Sequence, residues 1–564
     1  MGVTLNDIGV DRRSVLGLLA GAAVPSGLAA QFGGGGNDIE TIGLNRIGRY
    51  ETGEALGGAE IVAFHAAGNR LFVVNSGAGQ VEVLDLSDPS NPVQDAVLEA
   101  SDVIARQDVA MQAVGGTNSV DVHGNLVAAA IEADPATADG AIAFYDASSL
   151  EFVDAVPVGP LPDKVTFSPD GNYVVVANEG EPGESTDPAG SVTVVDIANG
   201  VGNAVVRTAT FGEFDGQEDA LREEGIHLVS PGDGAAVAST VIEPEFVAVT
   251  PDSQQAFVSL QENNAIATVD LAEGTVTGVH GLGFKDFSLP GNELDTSDAD
   301  GISLQNWPLH GMYQPDAIDA YEVGGKTYLV TANEGDAKDF EVGVLGDLDL
   351  DPEAFDLSEN PYVDSVEELK RPEHLGNLEV NEAAMAEFAD ENGDGSYEAI
   401  YAIGGRSFTV WEVSGDGLAP VFDSGRDFEK TFAERRPAGH QNVVESGPET
   451  ESAELGTVGD RTFAFVGQEV GSAIFAYDVT RPENAEYVEM AVNRDYSVTE
   501  DDLEAAAEED PEGDNPARAG DFAPEGVHFV PAAESPVQNP LLCVGYELSG
   551  TVGVFEITPV TESN

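Results

Sequence analysis

The chain of 564 residues carries 102 acidic against 23 basic side chains, a formal charge of −79 at pH 7. So few cations leave no basic stripe to neutralise phosphates, which excludes a nucleic-acid partner. An apolar content of 42% is too high for an acidic disordered tail and supports a true core.

Such a charge repels itself in dilute buffer. At ~1 M salt, however, the Debye length falls to about 3 Å and distant repulsions fade. The composition is that expected of a folded protein from a salt-loving organism. Cys543 stands alone, which leaves no internal disulfide and no cysteine-based zinc cluster. Within the apolar run LLCVG it reads as a small buried hydrophobe.

In chain order, the start reads DRRSVLGLLAGAAVPSGLAA. Arg12 and Arg13 precede an uncharged stretch ending in small residues, with cleavage expected after Ala29 or Ala30. This is the pattern of a twin-arginine export signal over residues 1–30. Its apolar part is too short for a stable transmembrane span. The Gly-rich residues 31–44 read as a flexible linker. No comparable apolar segment follows, so the mature chain is expected to be secreted and not inserted in a membrane.

From 45 to 560 the chain consists of short β-rich runs punctuated by Gly, Pro, Asn and Asp, the pattern of many short strands. The unit is plainest at 162–197: KVTFSPDGN gives a strand and a turn, YVVVANE a second strand and GSVTVVDI a third. Third strands recur with an acid near their end, at Asp85, Asp146, Asp196, Asp270, Glu412, Asp478 and Glu556. Such acids cap the turn into an outer strand. These strands predict an all-β chain, a seven-bladed β-propeller with one blade split by an acidic, partly helical insertion at 341–396. Taking both 327–333 and 399–404 as second strands gives eight blades instead. A second acidic insertion covers 497–520.

Three long motifs, GMYQPDAIDAYEVGGKTYLVTANEGDAKDF (311–340), AIGGRSFTVWE (402–412) and APEGVHFVPAAESP…LLCVGYELSGTVGVFEI (523–557), closely resemble the choice-of-anchor I proteins. The resemblance covers most of 45–560. It implies an exported β-propeller-like domain, related to mesenchyme-specific cell-surface glycoproteins and to prokaryotic proteins labelled atypical alkaline phosphatases. Members often end in a sorting or membrane anchor, which this chain does not display.

VVVANEGEP (174–182) and LVTANEGDA (329–337) are near-copies in which an apolar run breaks at a carboxylate. Equivalent breaks fall at Glu132, Glu262, Glu469 and Glu547. Several first strands begin with an acid, often after proline: Asp163, Glu245, Asp316, Glu451 and Glu525. Two antiparallel strands joined by a tight turn bring the start of one beside the end of the other. Asp163 is therefore expected beside Glu179, Glu245 beside Glu262, Asp316 beside Glu334 with Asp336 next to it, Glu451 beside Glu469, and Glu525 beside Glu547. In a propeller these pairs gather at one channel mouth. Crowded carboxylates need a compensating cation. Lys164, Lys338, Arg406 and Arg426 are the available internal ones, Arg406 and Lys164 serving as charge clamps. A hard divalent ion, calcium foremost, is the external one.

A second calcium candidate is DENGDGSYE, where Asp390, Asn392, Asp394 and Gly395 match half an EF-hand loop. Its twelfth position is Tyr401 rather than a glutamate. Asp298 and Asp300 in SDADG form a weaker candidate. Ser424 in DSGRD and His310 are the nearest approaches to catalytic groups, and each reads first as a loop residue.

Three functions fit. The first is a secreted binding or surface protein with a divalent cation at the channel mouth and a small-molecule or cell-surface ligand. The second is a metal-dependent phosphoester hydrolase at that face. The third is a cell-envelope scaffold without metal. The absence of G-x-S-x-G, Walker A and H-E-x-x-H patterns favours binding over catalysis.

Overall fold

The run YVVVAN forms the strand Tyr173–Asn178, whose middle residues are buried on both faces. Val174 and Val176 share a core cluster with Ala128, Ala130 and Phe144 on one side. Val175 and Ala177 share another with Val258 and Leu260 on the other side. A strand stacked between two sheets has no solvated face, so it is apolar throughout rather than alternating. Full burial of each valine contributes roughly 1.5–3 kcal/mol.

The computed structural model describes residues 39–561, apart from 55, 106–108, 110, 112, 184–185, 231–234, 298–300, 339, 359, 391, 416, 436–446, 500–501 and 504–515. The expected export signal therefore lies outside the described residues, as do Asp298, Asp300 and much of 497–520. Ile39–Val560 form one compact unit.

Seven four-stranded sheets occur among the described residues. We number them 1 to 7 by their first strands: Val62–His65, Val114–His123, Pro162–Phe167, Val247–Val249, Pro315–Val323, Ala453–Val458 and Pro524–Val530. Each first strand touches that of the next sheet, and the first strand of sheet 7 touches that of sheet 1. The first strands thus enclose a channel, and the fold is a β-propeller.

Closure joins the two ends of the described chain. The fourth strand of sheet 7 is Ile39–Glu51, hydrogen-bonded beside Thr551–Thr561. Arg46 and Arg49 on that strand both bind the fully buried Asp521, at 2.7 and 2.6 Å. This corrects the linker boundary, because 39–44 belong to a strand. Ile39, Ile42 and Leu44 pack with Phe463, Leu542 and Ile557, partners so distant in sequence that local composition does not reveal them.

Sheet 5 is interrupted between Lys326–Asn333 and Ser407–Ser414. The excursion includes the helix Glu382–Phe388 and contributes to a separate five-stranded sheet. Its strand order is Phe284–Asp286, His310–Met312, Tyr401–Ala402, Glu379–Asn381 and Val342–Val344. Residues 401–402 pair in parallel with 310–311, so 399–404 do not supply a second strand to a four-stranded sheet. This layer has its own core, including Trp307, Leu345, Leu369, Met385 and Ile400. Several third-strand acids serve turns, Asp146 accepting the Ser149 amide at 2.7 Å and Asp478 the Thr480 amide at 2.9 Å, whereas Glu412 binds Lys326 and Glu556 accepts from Asn539.

Candidate metal centre at the channel mouth

The mouth begins with a repeated backbone irregularity. Pro162 stands opposite Asn178, and regular pairing resumes only with Val165 opposite Val176. The same shift lies between Pro315 and Ile318 in sheet 5 and between Pro524 and Val527 in sheet 7. Proline has no N–H for the ladder and is tolerated at such a bulge, which re-aims the side chains within it. Leu161, Gln314 and Ala523, just before each proline, adopt φ of 46°, 43° and 62°. A left-handed backbone costs a non-glycine residue roughly 1–2 kcal/mol. The packing of the ring therefore holds Leu161, Gln314 and Ala523 in a conformation they would not adopt alone, and Asp163, Asp316 and Glu525 follow two residues later in each bulge.

Each sheet contributes a polar pair at this level. Sheets 3 to 7 supply Asp163/Glu179, Glu245/Glu262, Asp316/Glu334, Glu451/Glu469 and Glu525/Glu547, brought together by the hairpins. Sheets 1 and 2 each replace one acid by a neutral donor. Ser76 donates to Glu60, and Asn118 donates to Glu132 at 3.5 Å. Sequence reasoning missed Glu60, Ser76 and Asn118. Glu60 opens its strand without a preceding proline, and Ser76 and Asn118 do not share the acidic signature.

Burial is the chief perturbation of these carboxyls; one another's charge adds to it, and Ser76 at Glu60 and Lys164 at Asp163 work against it. Burial pushes Asp163 up to about 6, Glu262 and Asp316 to about 7 and Glu60 to about 8. Glu179, Glu245, Glu334, Glu451 and Glu525 are driven well above the usual carboxylate range for the same reasons. Like charges this close disfavour joint ionisation unless a cation offsets them.

Two trios are tight enough to share an ion. Glu179, Glu245 and Glu262 each place a carboxylate oxygen within 4.8 Å of the other two, as do Asp316, Glu334 and Glu451. Gln261 bridges toward the second trio, its Nε2 donating to Glu334 at 2.5 Å. Both trios line a cavity of about 320 Å³ with Asp163, Asp336 and Glu525. Ile61, Lys164, Phe246 and Glu525 line both this cavity and a second of about 300 Å³. Lys164 Nζ sits 3.8 Å from the Phe246 ring centroid at that junction. Burial lowers the Lys164 ammonium pKa, against the pull of Asp121, Asp163, Asp316 and Glu454. In the second cavity the acids are structural. Asp121, Asp319 and Glu454 accept backbone amides from the adjoining sheet, those of Phe167, Leu455 and Phe529, at 2.7, 2.9 and 3.0 Å.

Other expected site residues lie elsewhere. Arg406 is buried away from the mouth cavity, bound to Glu429 at 3.1 Å and to the Asp295 carbonyl. The expected clamp at the mouth is thus corrected, because a helix at 427–435 supplies Arg406 with a carboxylate of its own. Arg426 pairs with Glu293 at 2.8 Å, and Lys338 pairs with Glu243. Asp390 accepts the amides of Gly393, Asp394 and Gly395 at 2.7, 3.0 and 3.1 Å. Asn392 donates to Glu398 at 2.9 Å, and Asp394 accepts the Ser396 amide at 3.0 Å. Ser424 is buried, with its Oγ accepting the Phe408 amide at 3.0 Å. His310 stacks on Tyr401 in the five-stranded sheet.

A family model, the choice-of-anchor I domain, matches residues 60–482, from the first mouth acid through the third strand of sheet 6. The chain belongs to the choice-of-anchor I domain family. A similar curated protein is the mesenchyme-specific cell surface glycoprotein of Strongylocentrotus purpuratus, 29% identical over 351 residues, 53% of this chain and 44% of that protein. Gigasin-3a of Magallana gigas is 27% identical over 179 residues, covering 29% and 60% respectively. The chain thus matches less than two thirds of the length of either relative. Among solved structures, Kuenenia stuttgartiensis hydrazine synthase matches at 12% identity and a TM-score of 0.42, covering 89% of this chain and 96% of that one. The β-propeller domain of Myceliophteria thermophila Cps50 matches at 10% identity and a TM-score of 0.42, covering 92% and 100%. Among the described residues no helix is long and apolar enough to cross a membrane.

Proposed function

We propose that this chain is an exported binding protein of the cell surface or its surroundings, whose channel mouth takes up calcium and presents it to a ligand. The observation that carries this reading is the pair of carboxylate trios, each with oxygens within 4.8 Å. Oxygens this close can share one ion, and calcium, which takes several oxygen ligands at about 2.3–2.6 Å in flexible geometry, is the cation we assign to them. Purely oxygen donors suit a hard cation over zinc or copper. Fitted there, calcium would offset the mutual repulsion of acids that burial already makes reluctant to ionise. The twin-arginine start at Arg12 and Arg13 and the cell-surface relative support export. The charge of −79 supports a saline setting.

Calorimetric titration of the intact protein with calcium in ~2 M KCl, where long-range repulsion is screened, tests the reading. Saturable binding that is lost in the double variant Glu179→Gln, Glu334→Gln is the expected result. A wild-type protein without saturable calcium uptake would exclude it.

A further inference from the structure

The calcium reading leaves two trios to choose between, and their surroundings differ. Glu334 in the trio of sheets 5 and 6 receives the Gln261 amide at 2.5 Å. Its partner Asp316 feels the ammonium of Lys164, as Glu179 in the other trio feels that of Lys338. Around the ring, Glu60 has Ser76 and Glu132 has Asn118. Glu243, two residues before Glu245, is taken by Lys338.

Glu245 and Glu262 have no such amide, hydroxyl or ammonium side chain, and the side-chain hydrogen bond they make is with each other. They are only 9% and 7% exposed, yet the Oε2 atom of each is buried without any hydrogen-bond partner. Leaving a buried charged acceptor unsatisfied is costly. Both residues belong with Glu179 to one trio of carboxylates that each place an oxygen within 4.8 Å of the other two. The missing partner must bring positive charge and accept oxygen donors from three directions, which describes a hard divalent cation.

We propose that the calcium seat lies between sheets 3 and 4, on Glu179, Glu245 and Glu262, and that the trio Asp316, Glu334, Glu451, where Gln261 already binds Glu334, is not the seat. The inference rests on the calcium reading but makes a narrower claim. Three carboxylates against one divalent ion leave a net negative seat. Terbium, trivalent and of similar oxygen preference, should therefore displace calcium from it.

The test compares Glu245→Gln, Glu262→Gln and Glu451→Gln in the full chain, titrated with calcium and then with terbium. Glutamine keeps the shape and removes a charge from a crowded site, so circular dichroism should be unchanged. Glu179→Gln serves as a second probe of the seat should one variant fail to fold. Glu245→Gln and Glu262→Gln should each weaken calcium binding by at least about tenfold, the scale expected for disturbed metal sites. Glu451→Gln should leave it within about threefold, and terbium should compete in the wild type. Loss of binding in Glu451→Gln alone would overturn the seat while sparing the calcium reading. Absence of calcium uptake by the wild type would sink both, leaving Glu245 and Glu262 to share a proton.

Discussion

A carboxyl group at the channel mouth is disfavoured as an anion by burial and by its neighbours. Protonation relieves it, which gives the mouth a definite pH signature. Glu262 has a usual value of 4.5 and is raised to about 7, and Glu60 is raised to about 8. The folded state therefore holds more protons than the unfolded chain across that interval, and stability falls as pH rises through it. The contribution is fully present below about 4.5 and gone above about 8. Glutamine imitates the protonated form. Glu262→Gln is accordingly expected to stabilise the calcium-free protein at about pH 8 by up to ~3 kcal/mol, at 1.36 kcal/mol per pH unit, as read by urea unfolding. The proline-acid and strand-end signals made most of these residues legible in the sequence. Glu60 and Asn118 were not, because Glu60 follows no proline and Asn118 is a neutral residue where other sheets have an acid. Arg406 was misplaced for a related reason: nothing near it in the chain announces Glu429.

The elements that hold the mouth are hairpins, bulges and one closure. Gly526, next to Glu525 in the bulge of sheet 7, is a place where side-chain volume matters. A Cβ there would stand 2.5 Å from the Glu60 carbonyl oxygen, so alanine would force sheets 7 and 1 apart. The clasp of Arg46 and Arg49 on Asp521 closes the ring from the other side. Removing one partner of a buried ion pair costs about 3–5 kcal/mol, and Asp521→Ala should lower unfolding stability by that much. A second buried network ties the excursion to the propeller. His227 contacts Glu387 at 2.6 Å and Glu341 at 2.9 Å, and the two carboxylates raise it to about 9 against the effect of burial. Its contribution is complete below the free imidazole value near 6.5 and lost as pH rises through about 9. His227→Gln should destabilise the protein at about pH 7 by ~3 kcal/mol and much less at about pH 10, in paired unfolding curves. The third strands were legible because their acids recur at one place. The five-stranded sheet was not, since its short strands come from segments far apart and include a parallel pair.

At the scale of the whole molecule, charge decides the working conditions. A chain at −79 should gain stability as salt screens its self-repulsion. A rise of Tm from ~0.1 M to ~2 M KCl is expected, steepest below ~1 M where the Debye length changes most. Export should fail when Arg12 and Arg13 are both replaced by lysine, as followed by the protein's appearance outside the cell. The central claim is that a divalent cation completes a mouth the protein leaves electrostatically unsatisfied. Thermal unfolding at about pH 8 in high salt, with and without calcium, tests it most directly. Calcium at about a hundred times its Kd should add ~2.7 kcal/mol of stability, and the gain should shrink toward about pH 5 as protons take the cation's place. A Tm at about pH 8 that does not respond to calcium would contradict the account.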